Sequence, residues 1–228
     1  REGWGYITYD RGFALSSNIG VVNLIDKYMN SQILKDYYKK LGFGSKTGIE
    51  LSKEVSGKLD FKYETEVLNA GFGQGIMTTS IQNIKALTSI ANDGILLQPY
   101  IVDRIVDSNG NVIKQNTREE LGRVASKQTT DKMKELMEQV VLNGTGSSYY
   151  MEGYNIIAKT GTAQIASENG TGYLKGANDV IRGFAGMFPK EDPQIIIYAN
   201  VKRPNPNSPS SLVSVIKEVV ENISKYYN

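Results

Sequence analysis

Two short stretches of this 228-residue sequence carry side chains that can do chemistry, and they lie about 140 residues apart. The first is Ser16-Ser17-Asn18, three polar residues in front of an apolar helical pattern. One such side chain is enough to cap a helix. Either the others cap redundantly, or one hydroxyl faces a site. The second is Lys159-Thr160-Gly161-Thr162, within an otherwise apolar strand. A lysine in that setting is costly unless its charge is paired or used. Thr160 and Thr162, two positions apart, share one face of a strand. Gly161 leaves the opposite side bare, so another backbone can approach. Two hydroxyls with a nearby cation make an edge suited to a carboxylate. The same residues also suit an edge strand guarded by a lysine.

Composition narrows the chemistry. The sequence has no histidine and no cysteine. That excludes Ser-His-Asp and Cys-His mechanisms, disulfides and thiolate chemistry. A nucleophilic enzyme built this way needs Lys, Glu, Asp or Tyr as its base. No metal site and no cofactor is expected. Net charge is +2 and there is no long basic run, so nucleic-acid binding is not expected either. The 40% hydrophobic and 22% charged residues are ordinary for a globular domain. No apolar run approaches the ~20 residues of a membrane span. The sequence begins "REGWGYITYD", without an initiator Met, and reads as a piece of a longer protein.

The elements that must position these residues follow from periodicity. Aromatic and polar residues alternate over 1–11, which predicts an extended segment. A helix is expected from Asn18, with Val21, Val22, Leu24, Ile25, Tyr28 and Met29 on one side. A second, about 31–41, stops at Gly42. A third, about 80–92, has Ile81, Ile84, Leu87, Thr88 and Ala91 inward. "YIVDRIVDSNGNVIKQ" at 100–115 predicts a hairpin around Asn-Gly. A helix over 129–142 precedes three strands, about 155–166, 180–190 and 194–202. The last, "QIIIYANVK", is almost continuously apolar, as a central strand covered on both faces would be. "ENGTG" lies in a loop and "RPNPNSPSS" in a turn before a closing helix, about 209–226. The expected fold is α+β: an antiparallel sheet flanked by helices, with a helical lobe over about 12–98 and the sheet strands and closing helix over about 150–228. The site belongs in the cleft between them.

Taken together, these residues resemble the penicillin-recognising serine enzymes, and in particular the transpeptidase domain of class B penicillin-binding proteins. Ser16-Ser17-Asn18 matches the family's Ser-x-Asn motif, and Lys159-Thr160-Gly161 its Lys-Thr/Ser-Gly motif. "GFGQGIMTTSIQ", "VVLNGTG", "KTGTAQ" and "GFAGMFPKEDPQIIIYANV" also look like this branch and keep its order. Ala158 stands where the family often has Gly. The larger departure is the first motif, Ser-x-x-Lys, which does not precede Ser16. The one Ser-x-x-Lys, Ser214 to Lys217, falls on the closing helix and reads as chance. Lys46-Thr47-Gly48 is a second decoy, expected to be a structural turn.

The resemblance implies a single partial domain of a peptidoglycan D,D-transpeptidase. Such an enzyme acts through an acyl-serine on stem peptides ending in D-Ala-D-Ala and is acylated by β-lactams. By resemblance, Ser16 relays a proton, and Asn18 binds the substrate amide and helps fix the catalytic Lys. Lys159 keeps the site positive. Thr160 and Thr162 bind the terminal carboxylate, with Gly161 between them. The N–H of Thr162 supplies half of an oxyanion hole, and Gln74 lines the cleft. The other expected partners are cell-wall synthesis or division proteins. The expected location is the outer face of a bacterial membrane, held by an upstream anchor. Without the nucleophile these residues should be inactive, and they should expose apolar surface that another segment or copy covers. A β-lactam sensor, a β-lactamase or a non-catalytic peptide-binding homologue would share the same motifs.

Overall fold

The computed structural model describes residues 3–168, 172–205 and 211–226. Most of the expected "ENGTG" loop and of the "RPNPNSPSS" turn lies outside them. The helices are α1 (Tyr9–Ala14), α2 (Asn18–Tyr28), α3 (Ser31–Lys40), α4 (Glu64–Gly71), α5 (Ser80–Ala91), α6 (Lys127–Asn143) and α7 (Ser211–Ser224). The strands are β1 (Ile95–Leu97), β2 (Arg104–Val106), β3 (Val112–Gln115), β4 (Glu120–Arg123), β5 (Ile157–Gln164), β6 (Val180–Phe188) and β7 (Ile195–Lys202). All pairings among the described strands are antiparallel, in the order β1-β4, β2-β3 and β5-β6-β7. The α+β class is as the sequence predicts.

The β5-β6-β7 sheet is cored on both faces. On one, Ala158 and Phe184 pack with Val141, Tyr149, Ile216 and Val220, so α7 and the end of α6 cover it. On the other, Ile157 and Met187 pack with Met137, and Phe13, Leu87 and Ile90 close around them. Each fully buried side chain of this size stabilises the fold by about 1.5–3 kcal/mol. Helix α6 reaches both faces because Thr130, Lys134, Met137 and Val141 recur at helical spacing on its buried side. On α7, Ile216 and Val220 are buried, whereas Val215 is exposed. Ser214 and Lys217 lie on this helix, which packs against β7 and a 3-10 turn at Ser147–Tyr149.

Three expectations are corrected. Residues 9–14 form α1 rather than a strand: Thr8 caps it, its hydroxyl accepting from Arg11 N at 3.2 Å. Small, buried Gly12 and Ala14 let it lie against α6. Next, β6 is the central strand of its sheet, and β7 pairs only with β6 among the described residues. Its apolar residues are therefore half-buried, because nothing described pairs with its second edge. The third correction concerns α5, whose buried residues are Gln82, Lys85 and Ser89. Of the residues expected inward, Leu87 and Ala91 do pack against the Met137, Ile157 and Met187 core, but all five of Ile81, Ile84, Leu87, Thr88 and Ala91 are only half-buried. The cause is the irregular segment over 42–59, whose carbonyls need donors. Gln82 Nε2 donates to Ser45 O at 2.7 Å and to Ser56 O at 2.8 Å. In the same segment Lys46-Thr47-Gly48 is a structural turn. Thr47 Oγ1, Thr47 N and Gly48 N all donate to the Glu54 carboxylate, at 2.6, 2.7 and 3.0 Å.

Candidate active site

Ser16 sits where a glycine would be expected. Helix α1 ends in a Schellman motif: Ser17 N donates to Gly12 O at 2.8 Å and Ser16 N to Phe13 O at 3.1 Å. The motif needs a left-handed residue, and Ser16 supplies it with φ of 53°. For a residue with a Cβ this costs about 1–2 kcal/mol. Ser17 then caps α2, its hydroxyl accepting from Gly20 N at 3.2 Å. The polar cluster is therefore not redundant. Ser17 makes the cap, and Ser16 is left with its hydroxyl turned to β5.

Lys159 comes from the middle of β5, 143 residues further on, and its ammonium donates to Ser16 Oγ. It also donates to its neighbour's carbonyl, Thr160 O, at 2.8 Å, and lies 5.7 Å from the centre of the Phe13 ring. Burial pulls the Lys159 ammonium down to about 8. The two hydrogen bonds and the ring oppose that pull, since each favours the charged form. Lys159 is on the Ile157 face of the sheet, by Phe13, while strand alternation puts Thr160 and Thr162 on the Phe184 face. The cation and the threonines thus do not share a face. They meet because β5 is the edge of its sheet, so groups from both faces reach its open side.

Thr145 spans that edge, and the sequence reading passed over it. Its Oγ1 is 3.2 Å from Ser16 Oγ and 2.6 Å from Thr160 Oγ1. It follows the C-terminus of α6, clamped to the end of α1. Thr145 N donates to Ala14 O at 3.0 Å, and Arg11 Nη1 donates to Asn143 O at 2.6 Å. Gly144 allows the approach, because a Cβ there would lie 2.2 Å from Ala14 O. The sequence signal was the pair of glycines flanking this threonine, which marks a close backbone approach as well as a turn.

Of the other expected site residues, Thr162 and Gly161 are exposed on β5, next to this cluster. Thr162 pairs in register with Arg182 of β6, a cation the sequence reading did not connect to the site. Asn18 is exposed in the first turn of α2, and none of the hydrogen bonds described joins its side chain to Ser16 or Lys159. Gln74 is half-buried in the loop after α4, its N–H donating to Asn69 O at 2.9 Å. The structure brings together Ser16, Lys159 and Thr160, leaves Asn18 and Thr162 alongside, and does not bond Gln74 to them. A concavity of about 310 Å³ between α2 and α4, lined by residues such as Met29, Lys62 and Val67, contains none of these groups.

Chemically, the cluster is a partly desolvated cation with a line of hydroxyls on an open strand edge. It can hold a carboxylate against β5 and pass a proton through Ser16. The chain matches the family described as "Penicillin binding protein transpeptidase domain" over residues 1–225. It is 35% identical over 209 residues to stage V sporulation protein D of Bacillus subtilis (strain 168), covering 90% of this chain and 31% of that protein. To the peptidoglycan D,D-transpeptidase FtsI homolog of Mesostigma viride it is 31% identical over 230 residues, covering 91% of this chain and 38% of that protein. It thus spans about a third of the length of these curated relatives. Among solved structures it is similar to penicillin binding protein 2X from Streptococcus thermophilus, with a TM-score of 0.82 and 28% identity over 94% of this chain and 33% of that one. With the two motifs meeting at one strand edge, and with fold and family match in agreement, the chain belongs to the transpeptidase-domain family of the class B penicillin-binding proteins.

Proposed function

We propose that these residues form the substrate-carboxylate and proton-relay side of a peptidoglycan D,D-transpeptidase. The observation that carries the reading is the hydrogen bond from Lys159 to Ser16, which joins the two motifs across 143 residues. In this reading a nucleophilic serine and its base lysine come from a part of the protein outside the 228 residues. That serine attacks the carbonyl of the penultimate D-alanine, and the C–N bond to the terminal D-alanine breaks. Ser16 delivers the proton to the leaving nitrogen. An amine of a second stem peptide then attacks the acyl-serine, forming the cross-link and releasing the serine.

Thr160 and Thr162 donate hydrogen bonds to the terminal carboxylate, and Lys159 supplies its positive field. Thr162 N–H is one donor to the oxyanion, a contribution worth about 100- to 1,000-fold in rate. Asn18 receives the substrate amide at the mouth, and Gln74 borders the cleft once the domain is assembled. The half-buried apolar faces of β7, and its edge that pairs with no other strand among the described residues, support a further pairing there by strands from outside these residues. β-Lactams enter by the same carboxylate contacts. The protein works at the outer face of a bacterial membrane with cell-wall synthesis or division proteins as partners, and an upstream segment anchors it.

The test uses the whole protein with a stem pentapeptide ending in D-Ala-D-Ala and an acceptor amine. D-alanine release together with a cross-linked product is the expected result. Rapid hydrolysis of β-lactams with no cross-linked product would identify a β-lactamase instead. Carboxylate-dependent binding without release of D-alanine would identify a non-catalytic homologue.

A further inference from the structure

We propose that Thr145 is a positioning residue that ties the carboxylate-binding hydroxyl of Thr160 to the proton-relay hydroxyl of Ser16. The proposal rests on the transpeptidase reading of the site and assigns a role to a residue outside both recognised motifs.

The argument begins with a count of hydrogens. Each hydroxyl has one proton to give and lone pairs to receive. Lys159 donates to Ser16 Oγ, so Ser16 has its own proton free to give. Thr145 Oγ1, at 3.2 Å, is in place to take it. Thr145 in turn has one proton, and Thr160 Oγ1 at 2.6 Å is its acceptor on the far side. Thr160 then directs its own proton outward, where a carboxylate binds. The direction Lys159 to Ser16 to Thr145 to Thr160 to carboxylate uses each hydroxyl proton once. An anion at Thr160 selects that direction, because a carboxylate accepts and cannot donate. Its arrival therefore reaches Ser16 through Thr145.

The scaffold suits such a coupling. Thr145 is held by its main chain to Ala14, two residues before Ser16. Gly144 packs so closely on Ala14 that no side chain fits between the loop and the end of α1. Thr145 is an exposed residue, so replacing its hydroxyl removes no core packing. Lys159 and Thr160 point to opposite faces of β5, and Ser16 and Thr145 together link them around the edge.

The experiment follows acylation of the whole protein by a fluorescent penicillin in stopped flow, resolving the initial binding constant from the acylation rate constant. Thr145→Val keeps the shape and loses the hydroxyl. The expected result is about a tenfold slower acylation step, with initial binding changed less than about threefold. Thr145→Ser restores the hydroxyl and should recover the rate to within about threefold. Thr145→Ala must show the same loss as Thr145→Val, so that a disturbance peculiar to valine cannot account for it. Equal rates in all four proteins would overturn the proposal. So would a loss confined to initial binding, or equal losses in the Ser and Val variants. A wild-type protein that penicillin does not acylate would instead overturn the transpeptidase reading beneath it.

Discussion

Lys159 makes the desolvation of the site measurable. An unfolded lysine holds its proton up to about 10.5, whereas burial pulls the folded one down to about 8. Between those values the unfolded chain binds more protons than the folded one, so stability rises with pH across that window. The penalty of the buried ammonium is fully present below about pH 8 and has gone above about 10.5. At 1.36 kcal/mol per unit it amounts to about 3 kcal/mol. Lys159→Met removes the charge and keeps an apolar stem beside Phe13. The assay is urea unfolding of the protein and this variant, followed by circular dichroism at intervals from pH 7 to 10.5. Other lysines and tyrosines titrate in both proteins and cancel in the difference. The stability advantage of Lys159→Met over the native protein should be greatest at pH 7 and shrink by about 3 kcal/mol by pH 10.5. A difference that stays level across the window, or widens with pH, would refute the reasoning. It would mean that the hydrogen bonds to Ser16 and Thr160 O, with the Phe13 ring, fully offset burial.

Further predictions concern the scaffold. Ser16→Gly should be more stable than Ser16→Ala by about 1 kcal/mol, because only glycine is at ease at a φ of 53°; thermal denaturation showing alanine equal or better would count against the left-handed turn. Gly144→Ala places a Cβ 2.2 Å from Ala14 O and should cost about 2 kcal/mol while slowing penicillin acylation of the whole protein. A neutral result in both measurements would show that α1 and the α6 loop are not clamped. Gln82→Leu fills the same space but leaves Ser45 O, Ser56 O and Thr79 N without their partner, so a loss of about 3 kcal/mol is expected in urea unfolding. A loss below about 1 kcal/mol would mean that water reaches those groups.

Much of the fold was legible because periodicity reports burial locally. The expected spans of α3, α5 and α6, the Asn-Gly hairpin and the β5, β6 and β7 segments lie within a few residues of the observed ones. Helix α1 was hidden by an aromatic alternation that imitates a strand, and by a serine in the position where glycine would have signalled a helix end. The β1-β4 pair was hidden for another reason. Three-residue β1 exists through pairing with residues 23 to 28 positions away, such as Ile95 with Arg123, which no local window contains. The run of isoleucines in β7 shows which faces need cover, but not which strand pairs with them. In the site, the convergence of Ser16 with Lys159 was foreseen from the motifs. The separation of Lys159 and Thr160 onto opposite faces was implicit in their adjacent positions. Thr145 escaped because its role comes from three elements meeting, and its neighbouring glycines mark only the approach.

The central claim is that Ser16, Lys159 and the β5 threonines share one substrate groove. A crystal structure of the whole protein acylated by a penicillin tests it most directly. The account predicts the ligand carboxylate about 3 Å from the Thr160 and Thr162 hydroxyls, with Ser16 Oγ beside the nitrogen released by ring opening. A carboxylate held elsewhere, with Ser16 and Lys159 out of contact with the ligand, would contradict it.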